Sequence, residues 1–270
     1  MTSKELAYQA MVAATRERVL AQAAATWTGL GSYRDFDARR FVAQVVPLVQ
    51  AGQLHVATLT AAHIAGAATA TPIDRDAILD GRGTATSEVY RRPFVTAYTA
   101  LSEGVPLDEA LRRGAARLMG LASTDMQMSR VRQAQRSMVD RGIDQYHRVL
   151  TGRENCALCV IASTQRYWVA NLMPIHPGCD CSPQKLTGNN PLRQVINPDL
   201  LNLTHKAIDQ QLGLSDRGAR DLGLGKESSA GNPLSDYTDL ITTQIHGEIG
   251  PVLTWRSHQF TTPADIPDLT

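Results

Sequence analysis

Apolar residues recur at helical spacing through the first half of the chain. Phe41, Val45, Leu48 and Val49 stand at i, i+4, i+7 and i+8, which is one face of a helix. Residues 4–27 are rich in alanine and run into Gly29-Leu30-Gly31, which predicts a helix and its stop. A second helix is expected over 36–50, then a break at Gly52 and a third helix over 53–66. Pro72, Gly81 and Gly83 mark residues 69–86 as a loop or linker. Helix resumes near Ser87, with Pro93 either in a first turn or at a kink. Pro106-Leu107-Asp108-Glu109 opens a long helix, because proline fixes φ and the acids sit at the positive end of the dipole. Leu111, Ala115, Leu118, Ala122 and Met126 then mark its apolar face on the way to Val139.

The pattern changes after Gly142. Tyr146 to Leu150 alternates as a strand does, and Thr151-Gly152 follows as a turn. Beyond Pro183 the chain is broken by Asn-Pro pairs and glycines; a helix is expected over 203–212 and a strand over 252–255. The reading is mostly α with a smaller α+β part. A helical N-terminal region occupies 1–140, a small module 141–190, and an irregular segment that packs on it 191–270.

Composition narrows the function classes. The 270 residues carry 27 basic and 26 acidic side chains, a near-balance that argues against a polyanion binder over the whole surface. Eight arginines against three aspartates between Arg112 and Arg148 are the local exception, read as a solvated helix face or a basic stripe toward DNA or an acidic partner. The start, with Glu5, Arg16, Glu17 and Arg18, is not that of a secretory leader, so synthesis in a reducing cytoplasm is expected. Phe41 to Ile73 carries no charge, but its proline, glycines, glutamines, histidines and threonines suit a buried helical pair better than a bilayer span. His55 and His63 in that pair read as core or interface residues.

All four cysteines fall in 26 residues: Cys156-Ala-Leu-Cys159, then His176-Pro-Gly-Cys179-Asp-Cys181. Two close pairs, each on a tight turn, can converge on one tetrahedral ion. Thiolate and imidazole are the ligands Zn²⁺ prefers, and four protein ligands close the site to substrate. Five candidates, Cys156, Cys159, His176, Cys179 and Cys181, compete for four positions, and the sequence leaves the choice open. Disulfides, a redox pair at Cys156 and Cys159, and inert buried cysteines are the competing readings.

Enzyme motifs are missing. There is no His-Glu-x-x-His, Gly-x-Ser-x-Gly, Walker A or Gly-x-Gly-x-x-Gly pattern. His246 and Glu248 read as surface or hydrogen-bonding residues, and Ser163 with His147 or His246 is the sole serine–histidine pairing to weigh.

The run from Tyr146 to Cys181 resembles the MuF domain of minor head proteins of tailed bacteriophages, matching at Cys156, Cys159, His176, Pro177, Cys179 and Cys181. The helical first half and His246-Gly-Glu-Ile-Gly-Pro-Val-Leu253 resemble the actinobacteriophage members more loosely. The resemblance implies a head-morphogenesis protein in the virion, at the portal or inner capsid. Its partners would be portal, major capsid protein or scaffold, with non-specific contact to packaged DNA. It also raises an alternative, since related genes are often described as capsid maturation proteases acting on scaffold or coat. One structural zinc per chain is the expected cofactor.

Overall fold

The computed structural model describes residues 3–150, 157–174, 181–186, 195–212, 241–246 and 250–255. It is mostly helical, with a small three-stranded antiparallel sheet and a separate hairpin. The chain divides into two compact units, Met1–Ser137 and Met138–Thr270.

The first unit is built from α1 (Ser3–Thr28), α2 (Asp35–Ala65), α3 (Arg75–Leu79), α4 (Thr86–Val89), α5 (Arg92–Ser102) and most of α6 (Leu107–Val139). Its core gathers one apolar stripe from each long helix: Val19, Ala23 and Trp27 from α1, Phe41, Val45, Val49 and Val56 from α2, and Leu118, Leu121, Ala122 and Met126 from α6. Trp27, Phe41 and Phe94 meet edge to face, with ring centroids 4.9 to 5.6 Å apart. That is the geometry aromatic quadrupoles favour.

The expected break at Gly52 does not occur. α2 runs unbroken for 31 residues through both Pro47 and Gly52. Glycine serves close packing here: a Cβ at Gly52 would lie 2.7 Å from Val19 Cγ2 and 3.3 Å from Met126 Sδ. Gly114 plays the same part in α6, where a Cβ would stand 2.6 Å from the Trp27 ring and 2.9 Å from the Pro93 carbonyl oxygen. By length and composition α2 could cross a bilayer. Its apolar stripe nevertheless lies inside the helical core.

Short helices occupy part of what the sequence marked as linker. Asp74 caps α3 by accepting from the Ala77 N–H at 3.1 Å, and its other oxygen pairs with Arg136 at 2.7 Å. Pro93 sits in the first turn of α5, where its missing N–H costs no helical bond. Between α1 and α2, Tyr33 adopts φ 56°, a left-handed conformation that costs a non-glycine residue about 1 kcal/mol or more. Its hydroxyl donates to the Trp27 carbonyl at 3.0 Å, and its own carbonyl accepts from the Tyr98 hydroxyl.

The second unit holds β1 (Gln145–Val149), α7 (Ala157–Ser163), β2 (Arg166–Trp168), β3 (Ser182–Lys185), α8 (Pro198–Leu212), β4 (Ile241–His246) and β5 (Gly250–Trp255). The sheet order is β2-β1-β3, so the expected strand is the central one. Tyr146 stands opposite Tyr167 on β2, and Arg148 opposite Pro183 on β3. Proline is tolerated there because β3 is an edge strand. α8 begins five residues earlier than the pattern predicts, with the Asn197 side chain accepting from the Leu200 N–H at 3.1 Å. The Thr164 carbonyl accepts from the N–H groups of Ile196 and Asn197, which ties the start of α8 to the end of α7.

Candidate metal centre

Strand alternation sets the site. β1 buries every second residue, so Tyr146 and Arg148 share one buried face, while His147 lies on the other. Cys181 immediately precedes β3 and is 3% exposed; Cys159, in α7, is 1% exposed. Both are buried thiols. Cys159 therefore lies on a helix, where the sequence suggested a tight turn. Cys156, His176 and Cys179 lie outside the described residues. Among the described residues no three His, Cys, Asp or Glu side chains gather as a metal would require.

Arg148 is the residue that sequence reasoning misplaced. It counts toward the basic stripe, yet it is 3% exposed. Its guanidinium lies over the rings of Tyr146 and Tyr167, 5.7 and 5.6 Å from their centroids. It donates to Cys181 Sγ at 3.6 Å, to the Tyr146 hydroxyl at 3.4 Å and to the Met173 carbonyl. The missed signal was position: two residues after Tyr146 on an alternating strand places Arg148 on that strand's buried face.

The two tyrosine rings stack at 5.4 Å. Burial pushes the Tyr167 hydroxyl well up; Arg148 opposes this, while Tyr146, Cys181 and Cys159 add to it. The Tyr167 hydroxyl oxygen is buried and makes no hydrogen bond among the described residues. Of the zinc ligands proposed from the sequence, Cys159 and Cys181 lie among the described residues, and both are buried.

No known family, curated protein or solved structure matches this chain. Function therefore rests on the residues themselves.

The serine–histidine pairing gains no support from the geometry. The Ser163 hydroxyl donates to the Val160 carbonyl at 2.7 Å, while His147 Nε2 bonds the Gln184 side chain across the sheet at 3.0 Å. His246 ends β4, and Glu248 lies outside the described residues.

Nor do the eight arginines form one face. Arg130 and Arg148 are buried, Arg112 and Arg113 pair with Asp108 and Glu109, and Arg136 pairs with Asp74. Arg132 donates to the Gly81 carbonyl at 2.5 Å.

The helical unit also buries charged side chains. Arg82 Nε meets Asp125 Oδ1 at 2.5 Å, and the Tyr90 hydroxyl donates to Asp125 Oδ2 at 2.7 Å. Burial, then the Asp125 charge, pushes the Tyr90 hydroxyl far up, so it stays a donor. Glu5 meets His63 Nε2 at 3.0 Å, beneath a Tyr8–His63 ring stack at 4.1 Å. His63 is thus satisfied within the helical core, as expected, whereas His55 is exposed.

Proposed function

We propose that this chain is a structural minor head protein of a tailed bacteriophage, MuF-like in its second unit, with one zinc ion closing that unit's core. The observation that carries the reading is the cysteine run itself. Its strand, Cys-x-x-Cys and His-Pro-x-Cys-x-Cys follow in the family's order, Cys159 and Cys181 are both buried, and Cys181 accepts from Arg148. Zinc held by four of Cys156, Cys159, His176, Cys179 and Cys181 supplies a cross-link and leaves no position for substrate. In this reading the protein is synthesised in the host cytoplasm and assembles at the portal or inner capsid. The Ala-rich helical unit contributes contact surface to portal, coat or scaffold, and its exposed arginines meet packaged DNA non-specifically.

The three strands of the sheet are only three to five residues long, and in this reading zinc adds a cross-link to them. The test is co-expression with the coat, scaffold and portal proteins encoded in the same genome. The expected result is co-sedimentation of the chain with assembled heads, and coat and scaffold of unchanged mass. Trimmed coat or scaffold that reverts to full length with Ser163→Ala would replace this reading with a maturation protease.

A further inference from the structure

Residues 67–81 run from the end of α2 along α6 and place few side chains in the core. Between Gly66 and Glu88, Thr71 and Ile78 are the buried residues. A row of polar contacts from the long helices holds this stretch down. On α6, Gln133 Nε2 donates to the Thr71 carbonyl at 3.5 Å and Arg136 pairs with Asp74 at 2.7 Å. One turn away, Arg132 donates to the Gly81 carbonyl at 2.5 Å. On α2, Gln53 Nε2 donates to the Ile78 carbonyl at 3.3 Å.

The two ends of the stretch differ. At Gly66 the backbone takes φ 62° and ψ −113°, a combination that glycine reaches without strain. A Cβ there would meet nothing within 4 Å, so conformation rather than packing calls for glycine, as at a hinge. The far end is pinned. Arg82 Nε meets the buried Asp125 carboxylate at 2.5 Å, and the same guanidinium donates to the Leu121 carbonyl. Parting that pair would strand charge in the core and costs far more than releasing the contacts before it.

Those contacts are individually weak. Arg136 and Asp74 are both half-exposed, where an ion pair adds little. Gly81 is exposed, so water can take the place of Arg132 at its carbonyl. Ile78 supplies the main apolar anchor. Segments with so little buried apolar area open locally at lower free energy than the elements beneath them.

We propose that residues 67–81, with α3, form a strap that swings on Gly66 and lifts off α6 as a unit, while Arg82 and the three long helices stay in place. Closed, the strap occupies the donors of Gln53, Arg132, Gln133 and Arg136. Open, it presents them, with the α6 surface between Leu121 and Arg136, to another chain. The strap depends on neither the zinc nor the head-protein reading.

Native-state hydrogen exchange of the full-length protein tests this, read at the Ile78 and Asp80 amides, which donate to the Asp74 and Asp76 carbonyls within α3. In sub-denaturing urea these amides should exchange through an opening that urea barely changes, because little surface is exposed. Amides in the middle of α2 should instead follow global unfolding, with its full urea dependence. Arg132→Ala should speed exchange at Ile78 and Asp80 about tenfold. Arg136→Ala should speed it by up to about fivefold, less so at high salt. Tyr90→Phe, which weakens the pinned end, should speed exchange in α2 and leave Ile78 and Asp80 unchanged. Should Arg132→Ala fail to fold, Arg136→Ala carries the test. Exchange at Ile78 and Asp80 with the urea dependence of α2 overturns the strap, since the stretch then opens only with the whole unit. Unchanged exchange there in the folded arginine variants overturns it as well, and faster exchange there in Tyr90→Phe overturns the pinned end.

Discussion

The two units solve the problem of a stable interior differently. The helical unit uses apolar area: three long helices enclose Trp27, Phe41, Phe94 and a run of valines and leucines, with Gly52 and Gly114 admitting close approach. In the cysteine unit, Arg148, Tyr146 and the thiols of Cys159 and Cys181 are buried as well as the aliphatic side chains of Ile161, Val169 and Leu201. The first rests mainly on apolar burial and also encloses the Arg82–Asp125 ion pair. The second encloses a guanidinium against sulfur, which on the zinc reading a metal would turn from a cost into a bond.

The largest expected effect breaks the comparison on the cysteine side. Replacing Cys156 or Cys159 by serine should abolish protection of residues 142–190 in hydrogen–deuterium exchange, because structural zinc is folding free energy of roughly 10 kcal/mol or more. Peptides from α1, α2 and α5 should keep their protection. Unchanged exchange in 142–190 would remove the metal from the account. Next in size, Trp27→Ala should cost the helical unit about 3–5 kcal/mol in denaturant unfolding, with metal content unaltered. Trp27 is 1% exposed and touches Phe41, Phe94 and Tyr33, so little can collapse into the space.

A smaller effect carries an unusual sign. Alanine in place of a mid-helix glycine ordinarily stabilises by about 0.5–1 kcal/mol. Gly114→Ala should instead destabilise by about 1 kcal/mol, since overpacking against the Trp27 ring and the Pro93 carbonyl costs about 1–3 kcal/mol. A raised midpoint in denaturant would show that the three helices can spread to admit a methyl group.

The smallest effect is a pH dependence. The Ser32 hydroxyl and N–H donate to Asp37 at 2.6 and 2.8 Å and, with Arg40 assisting, hold its carboxyl below the usual carboxylate range. A depressed folded-state value adds stability above the unfolded value of about 3.9 and loses it as pH falls through the lower folded value. The helical unit should therefore weaken as pH drops below about 4, and Asp37→Asn should flatten that part of the acid limb. A mutant acid limb that superimposes on the wild type would show that the Ser32 bonds add nothing.

Much of the helical unit was legible because long amphipathic stretches announce themselves. The alternating face of α2 and the proline-acid opening of α6 both became helices. Gly52 misled because a glycine that breaks a helix and one that admits a neighbour look alike in sequence; what separates them is Val19 and Met126, distant along the chain. β2 and β3 stayed hidden because Arg-Tyr-Trp and Ser-Pro-Gln-Lys are too short to show a period. Asn197-Pro198 looked like a breaker and is the start of α8. At the candidate site the cysteines were conspicuous by clustering, while Arg148 was hidden in a charge count. Only its place on β1, beside Tyr146, reveals that it points inward.

The most direct test of the metal reading is metal content, by elemental mass spectrometry, of protein purified without an affinity chelate. The account predicts about one zinc per folded chain, released together with the structure of residues 142–190 when a strong chelator is added. Folded protein that contains no zinc, whether its cysteines are found oxidised or as thiols, would contradict it.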